Sequence, residues 1–238
     1  MVEKLKLILR QTHWSLVVKT LVFGLAWLFL PYWLFFVLAI YFYFVPLFKP
    51  LPLLFPFFLT LILGYAIPQN FFMAVFLASI FYLTLGIKDL IFVERKDAYE
   101  TLVLLLVFIM LFKFVNGFLG WADWYLPVFL LLVSMALYWL FSGFYKYSRP
   151  ENARVDGVRD FLSLGLFAFF EFQVVLVTLL LPISYFYKIS LVFLTAMLMS
   201  RLVLINLSGE VKGRQWLLYF SILFVFLVFI FTSSQWDL

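Results

Sequence analysis

The seventh apolar stretch of this 238-residue chain, residues 161–181, reads FLSLGLFAFFEFQVVLVTLLL. As an α-helix it would be about 30 Å long, which matches the hydrocarbon core of a bilayer. Glu171 is its only charged residue and lies near its centre. The stretch therefore predicts a membrane-spanning helix that carries a carboxyl group at the depth where water is scarcest.

Eight similar stretches surround it, and the chain as a whole is 67% hydrophobic and only 12% charged, with a mean hydropathy of +1.13. Soluble domains are about 45–50% apolar and about 25% charged. The nine predicted spans are Trp14–Leu30, Tyr32–Phe48, Leu51–Ile67, Phe71–Ile87, Ala98–Val115, Trp124–Phe144, Phe161–Leu181, Ser184–Ile205 and Gln215–Thr232. We expect an all-α polytopic membrane protein in which residues 14–238 form a single transmembrane helical domain.

Charge placement determines the predicted topology, because cytoplasmic loops of membrane proteins carry an excess of Lys and Arg. With nine spans and the N-terminus inside, fifteen of the seventeen cations lie on the inner side, and only Lys113 and Lys188 lie outside. Merging the first two stretches into one span would leave six cations inside and eleven outside. The count favours nine spans with the N-terminus inside and the C-terminus outside.

The positions of the tryptophans and of four prolines are consistent with this topology. All eight tryptophans lie near proposed span ends, where indoles prefer the membrane interface. Pro31, Pro68, Pro127 and Pro182 lie at the four outer connections, where a missing backbone donor costs little. The arrangement predicted is four helical hairpins and a final single helix. Since the chain has 34 Phe and 10 Gly, we expect bulky packing, few close small-residue contacts, and phenylalanines facing lipid.

Three segments outside the spans have predicted roles at the inner face. Residues 1–13 read as an amphipathic interfacial segment, whose Lys4, Lys6 and Arg10 would attract anionic lipids of the inner leaflet. The inner loops 86–97 and 146–160 are long enough to contact a membrane or cytosolic protein partner. Their cations are interleaved with acids, which is typical of solvated loops and argues against a nucleic-acid surface.

The inner turn at residues 46–56 contains four prolines around Lys49. It has two interpretations. Discontinuous helices at membrane depth line many transporter sites. A proline-stiffened hairpin turn is the simpler account, since no polar partner lies within the two adjoining spans.

The candidate polar site within the membrane consists of Glu171, Gln173 and Arg201. Gln173 is about 200° around the helix from Glu171, so we expect the seventh span to be surrounded by protein on both sides. Arg201 is predicted to lie within about 5 Å of the depth of Glu171, so the two could form a buried ion pair. Alternatively, Arg201 reaches the inner headgroups and Glu171 is protonated or solvated by water.

Motifs for catalysis and cofactor binding are absent from the sequence. It contains no nucleophile elbow, phosphate-binding loop, paired-histidine zinc motif or dinucleotide fingerprint. It also lacks cysteine, and its single histidine, His13, lies in the polar N-terminal flank. No catalytic, cofactor or metal site is predicted.

These observations favour a non-catalytic accessory or assembly component of a membrane, by default a bacterial-type plasma membrane. The alternative is a small-solute, ion or proton transporter that uses Glu171, because an ionisable residue inside a span is commonly functional. That alternative needs a polar path through the membrane. The other polar residues of the spans lie mostly near span ends.

Overall fold

The computed structural model describes residues 14–45, 53–89, 95–118, 126–148, 157–208 and 213–233, and 93% of these residues are helical. The nine helices of this part of the chain are α1 (Trp14–Phe29), α2 (Tyr32–Phe44), α3 (Leu54–Ala66), α4 (Phe71–Lys88), α5 (Arg95–Phe118), α6 (Leu126–Ser148), α7 (Gly157–Leu180), α8 (Tyr185–Ser208) and α9 (Gly213–Ser233). Each predicted apolar stretch coincides with one helix. The N-terminal segment 1–13, most of the turn at 46–56 and the centres of both inner loops lie outside the described residues.

Helices α4 to α8 each contain a segment that is long and apolar enough to cross a membrane, between 18 and 21 residues. Helices α1, α2 and α3, and residues Leu217–Ser233 of α9, are shorter apolar segments of 10–17 residues. The described chain is therefore all-α and compatible with a multi-pass membrane protein.

A break at Pro31 separates α1 from α2. Pro31 has φ −62° and ψ 147°, which is extended backbone, and its carbonyl accepts hydrogen bonds from the amides of Leu34 and Phe35 at 3.0 and 3.1 Å. Proline cannot donate to the preceding turn, so the first helix ends and a second begins. The prediction of two helices in this stretch, instead of one bent helix, is confirmed.

The chain divides into two compact units, residues 1–102 and 103–238. In the first unit, α1 packs against α4 and α2, and α3 packs against α4. A Cβ atom added to Gly24 of α1 would lie 3.3 Å from Ala78 Cβ and 3.5 Å from the Ala74 carbonyl of α4. Small residues thus allow α1 and α4 to approach closely, a contact that the low glycine content did not predict.

Aromatic rings form the core of the first unit. Phe23, Phe35, Tyr43, Phe57 and Phe81 are all fully buried. The rings of Phe23 and Phe81 stack at a centroid distance of 3.9 Å, and those of Tyr43 and Phe57 stack at 4.1 Å. The expectation that phenylalanine faces lipid is wrong for this cluster, because aromatic pairs gain from specific ring contacts as well as from burial.

Trp27 belongs to the same core. Its indole N–H donates to the Gly64 carbonyl at 2.8 Å, and its own carbonyl accepts a hydrogen bond from the Gln69 amide at 2.7 Å. Its side chain is fully buried, whereas that of Trp33 is 66% exposed. The predicted interfacial role is therefore wrong for Trp27, whose indole satisfies its donor within the protein.

In the second unit, α7 packs against α6 on one side and α8 on the other, and α8 also contacts α9. Phe141 of α6 meets Phe167 of α7 edge-on at 4.7 Å. Ile183, Leu191 and Ile230 form an apolar cluster that joins the start of α8 to α9. This packing determines which face of α7 is buried.

Candidate functional site

Glu171 lies in the middle of α7 and its side chain is 0% exposed. Its Oε2 atom accepts a hydrogen bond from the Thr195 hydroxyl of α8 at 3.4 Å. Its Oε1 atom is also buried and has no hydrogen-bond partner among the described residues. The carboxyl group is thus enclosed between two helices with one of its two oxygens unsatisfied.

The hydrogen bond from Thr195 is itself weakened by competition. The same hydroxyl lies 2.8 Å from the Val192 carbonyl and 3.1 Å from the Leu191 carbonyl, both in the preceding turn of α8. A threonine hydroxyl has one proton to donate. Since the helix carbonyl is the nearer acceptor, little of that donor is left for Glu171.

Thr178 provides a second unsatisfied polar atom on the same face of α7. It follows Glu171 by seven residues, which is two helical turns and about 10 Å along the axis. Its side chain is buried, and its hydroxyl has no hydrogen-bond partner in the described part of the chain. Val175, buried between them, completes this face.

In the part of the chain that the structure describes, Glu171 contacts Thr195 and forms no ion pair with Arg201. The connection between α7 and α8 is short, so depth can be counted from it along each helix. Glu171 lies ten residues before Leu181, and Thr195 lies eleven residues after Ser184. Thr195 is therefore the α8 residue at the depth of Glu171, and Arg201 lies six residues further, about 9 Å along the helix. The contacts of the described residues do not include the ion pair, which was one of the two arrangements that the sequence left open. Arg201 is half-buried and makes contacts of its own.

Gln173 lies on the other side of α7, where its side chain is exposed. None of the residues that the structure describes forms a hydrogen bond with its amide. Its neighbours on this face, Leu166, Phe169 and Val177, are exposed as well. The prediction that protein surrounds α7 on both sides is wrong for this chain alone, because its packing covers only the Glu171 side.

Two lysines, one predicted within the first span and one in the inner loop 86–97, are engaged at helix ends. The Lys88 ammonium is buried, donates to the Tyr43 carbonyl at 2.6 Å and pairs with Asp89 Oδ1 at 2.9 Å. The Lys19 ammonium donates to the Val45 carbonyl at 2.8 Å. Two lysines thus satisfy carbonyls at the C-terminal end of α2, where the helix dipole is negative.

Lys188 satisfies a carbonyl at the C-terminal end of α7. Its ammonium donates to the Leu179 carbonyl at 2.9 Å, across the turn that joins α7 to α8. A carbonyl at a helix end in an apolar environment needs such a donor. The signal that could have indicated this role is the position of each lysine, next to or inside an apolar stretch instead of within a loop.

Within the described ranges, no group of three or more His, Asp and Glu side chains could hold a metal ion. Comparisons with known protein families, with curated proteins and with solved structures give no match for this chain. The candidate functional side chains are Glu171, Gln173 and Thr178, three polar residues in the second half of α7.

Proposed function

We propose that this chain is a nine-span integral membrane protein, with its N-terminus inside and its C-terminus outside, that acts as a non-catalytic component of a membrane assembly. The nine helices of the described part and the fifteen-to-two distribution of cations support this topology. A bacterial-type plasma membrane is the location we assign. Nine spans with these two termini on opposite sides form four helical hairpins and a final single helix.

One observation carries the assembly role: the exposed amide of Gln173. The apolar segment of α7 ends at Leu180, seven residues after Gln173, so the amide lies about 10 Å inside the span. A polar group in hydrocarbon without a hydrogen bond costs several kcal/mol. Hydrogen bonds of Gln across helix pairs relieve this cost, and they drive helix association in membranes. The exposed face of α7 therefore fits a partner helix better than lipid.

This assignment locates the partner surface on α7. Loops 86–97 and 146–160, which the sequence also offered as partner sites, stay predictions. The Glu171 side of α7 is already occupied by α8, so it has no room for another chain. A transmembrane partner at Gln173 requires no catalytic group or cofactor, which agrees with the motifs that the sequence lacks.

Photo-crosslinking tests the proposal. A photoreactive residue replaces Phe169, which is 60% exposed beside Gln173, and the control replaces Phe224 of α9, which is 67% exposed on an apolar helix. After irradiation of intact membranes, we expect a protein adduct from position 169 and only lipid adducts from position 224. Lipid adducts alone from position 169 would overturn the proposed role.

A second candidate function rests on the unsatisfied Oε1 atom of Glu171. An acid that is fully buried and has one weak hydrogen bond resembles the proton-handling carboxyl groups of transporters, which face protein inside spans. A neutral Glu171 could donate a proton on Oε2 to the Thr195 hydroxyl oxygen while that hydroxyl donates to the Val192 carbonyl, which would leave Oε1 as an uncharged carbonyl oxygen. Proton binding at this site needs no cavity, since a proton occupies no volume of its own.

Proton flux into vesicles tests this second candidate. Purified protein is reconstituted with a pH-sensitive dye inside the vesicles, and flux is compared for the wild type, Glu171→Gln and Glu171→Asp. A transport role predicts flux that the Gln variant abolishes and the Asp variant partly retains, because only Asp can still carry a proton. Equal flux in the wild type and the Gln variant would exclude the role.

A further inference from the structure

The exposed face of α7 has a heptad pattern. Six residues on this face, counted from Leu162, are separated alternately by four and three positions, and Phe161, Phe170 and Val177 are exposed beside them. The six residues are Leu162, Leu166, Phe169, Gln173, Leu176 and Leu180. This is the spacing of the a and d positions in a coiled coil, where they form a continuous line of contact with a second helix. We refer to these six residues as the α7 seam.

The α7 seam is uncovered in this chain. Leu162, Leu166, Phe169 and Leu180 are between 55% and 72% exposed, Gln173 is exposed, and Leu176 is half-buried. The apolar members alone would be compatible with lipid. Gln173 is not, because it is the one polar member, lies in the second half of the span and has no hydrogen bond within the described chain.

We infer that the α7 seam binds the α7 seam of a second copy of this protein, in a parallel pair about a two-fold axis along the membrane normal. The inference rests on the proposed function and names its partner. All copies insert with the same orientation, so such an axis brings both copies of Gln173 to the same depth without further adjustment. An unrelated helix would have to supply a matching polar group at that depth.

The chemistry of the amide supports a second copy. A Gln side chain carries a carbonyl acceptor and an NH₂ donor, so two of them can form reciprocal hydrogen bonds. A polar residue at a single heptad position also fixes the register and the number of strands in coiled coils. Gln173 is the fourth of six seam positions, so one amide pair would align the other residues along the line of contact.

The surface next to the seam has room for bulky side chains. An open groove of about 520 Å³ runs between α6 and α7, and Phe169 of the seam forms one of its walls. The other lining residues include Leu131, Met135, Tyr138, Trp139 and Phe172. The groove is almost wholly apolar, so it suits an aromatic or aliphatic side chain that flanks the seam of the second copy.

The experiment measures energy transfer between donor-labelled and acceptor-labelled copies in vesicles while lipid is added. The chain contains no cysteine, so one cysteine introduced at Pro182, just beyond the seam, takes the label. The wild type is compared with Gln173→Leu, Gln173→Asn and, as a matched control, Ser221→Leu on the exposed surface of α9. Thermal unfolding of each variant establishes that the monomer fold is intact.

We expect the wild type to self-associate and Gln173→Leu to raise the dissociation constant about threefold to twentyfold, the range that single hydrogen bonds between membrane helices give. Gln173→Asn should retain most of the affinity because it keeps an amide, and Ser221→Leu should not differ from the wild type. A monomeric wild type at every lipid dilution, or an unchanged dissociation constant in folded Gln173→Leu, would overturn the second-copy inference. The proposed function would then stand if Phe169 crosslinks to another protein, and it would fail if Phe169 crosslinks only to lipid.

Discussion

Glu171 and Gln173 lie two residues apart in α7, and the side chain of Glu171 is fully buried while that of Gln173 is exposed. Two residues correspond to about 200° of rotation, so the two polar groups point in nearly opposite directions. One faces Thr195 of the same chain and the other faces outward. The two candidate functions therefore depend on opposite faces of one helix, and variants at neighbouring positions can separate them.

The first prediction concerns topology. A single cysteine at Pro31, which is exposed between α1 and α2, should react with an impermeant thiol reagent added to intact cells. A single cysteine at Asn152, in the inner loop, should react only after the membrane is permeabilised. The native chain has no cysteine, so each signal comes from one position. Labelling of position 152 in intact cells would contradict the nine-span topology.

The second prediction concerns the close approach of α1 and α4. Gly24→Leu should destabilise the protein by about 1–3 kcal/mol, because the new side chain meets Ala78 and Ala74 in a packed interface. The control is Gly165→Leu in α7, where an added Cβ has nothing within 4 Å. Its free energy of unfolding should be unchanged or higher, since leucine favours helix more than glycine. Equal losses at both positions would contradict the packing described for Gly24.

The third prediction concerns the indole hydrogen bond. Trp27→Phe should lower the free energy of unfolding by about 1–3 kcal/mol, because it leaves the Gly64 carbonyl without its donor and removes part of a buried ring. Trp33→Phe should have a much smaller effect, since that side chain is mostly exposed. Unfolding in mixed micelles measures both variants. A larger loss of unfolding free energy in Trp33→Phe than in Trp27→Phe would contradict the structural role given to Trp27.

The fourth prediction uses double-mutant cycles around Glu171. Glu171→Leu combined with Thr195→Val should show a coupling energy no larger than about 0.6 kcal/mol, the mean for hydrogen bonds between membrane helices, because the Thr195 hydroxyl also donates within its own helix. Glu171→Gln combined with Arg201→Gln should be additive within about 0.5 kcal/mol, as expected of residues with no shared contact. Strong coupling between Glu171 and Arg201 would instead support the ion pair, which the contacts of the described residues do not include.

The sequence was sufficient to predict where helices form. Hydropathy located the nine helices of the described residues, and Pro31 correctly divided the first two, because both signals depend on short-range chemistry along the chain. The rotation of each helix was not predictable in the same way. In soluble proteins a polar face marks the solvent side, but a helix such as α2 is apolar around its circumference, and lipid is as apolar as a protein core.

The errors at particular residues follow from this ambiguity. Phe23 and Trp27 were expected at lipid or at the interface, yet both pack inside, since nothing in their local sequence distinguishes a core position from a lipid-facing one. Lys88 was assigned to a loop, although it is the last residue of α4 and its ammonium reaches the end of α2. Glu171 does lie inside an apolar helix that is long enough to cross a membrane, but its partner depends on the register between α7 and α8.

The central claim is that a protein partner covers the exposed face of α7. It is tested most directly by the oxygen accessibility of a spin label at Leu166, measured by electron paramagnetic resonance in vesicles. Leu166 lies in the α7 seam and leaves Gln173 intact, and a label at Phe224 of α9 is the lipid-facing control. We predict low oxygen accessibility at position 166 and high accessibility at position 224, with accessibility at 166 rising when Gln173→Leu is added. Equally high accessibility at both positions in the protein with Gln173 intact would mean that lipid covers this face, and it would contradict the proposed assembly role.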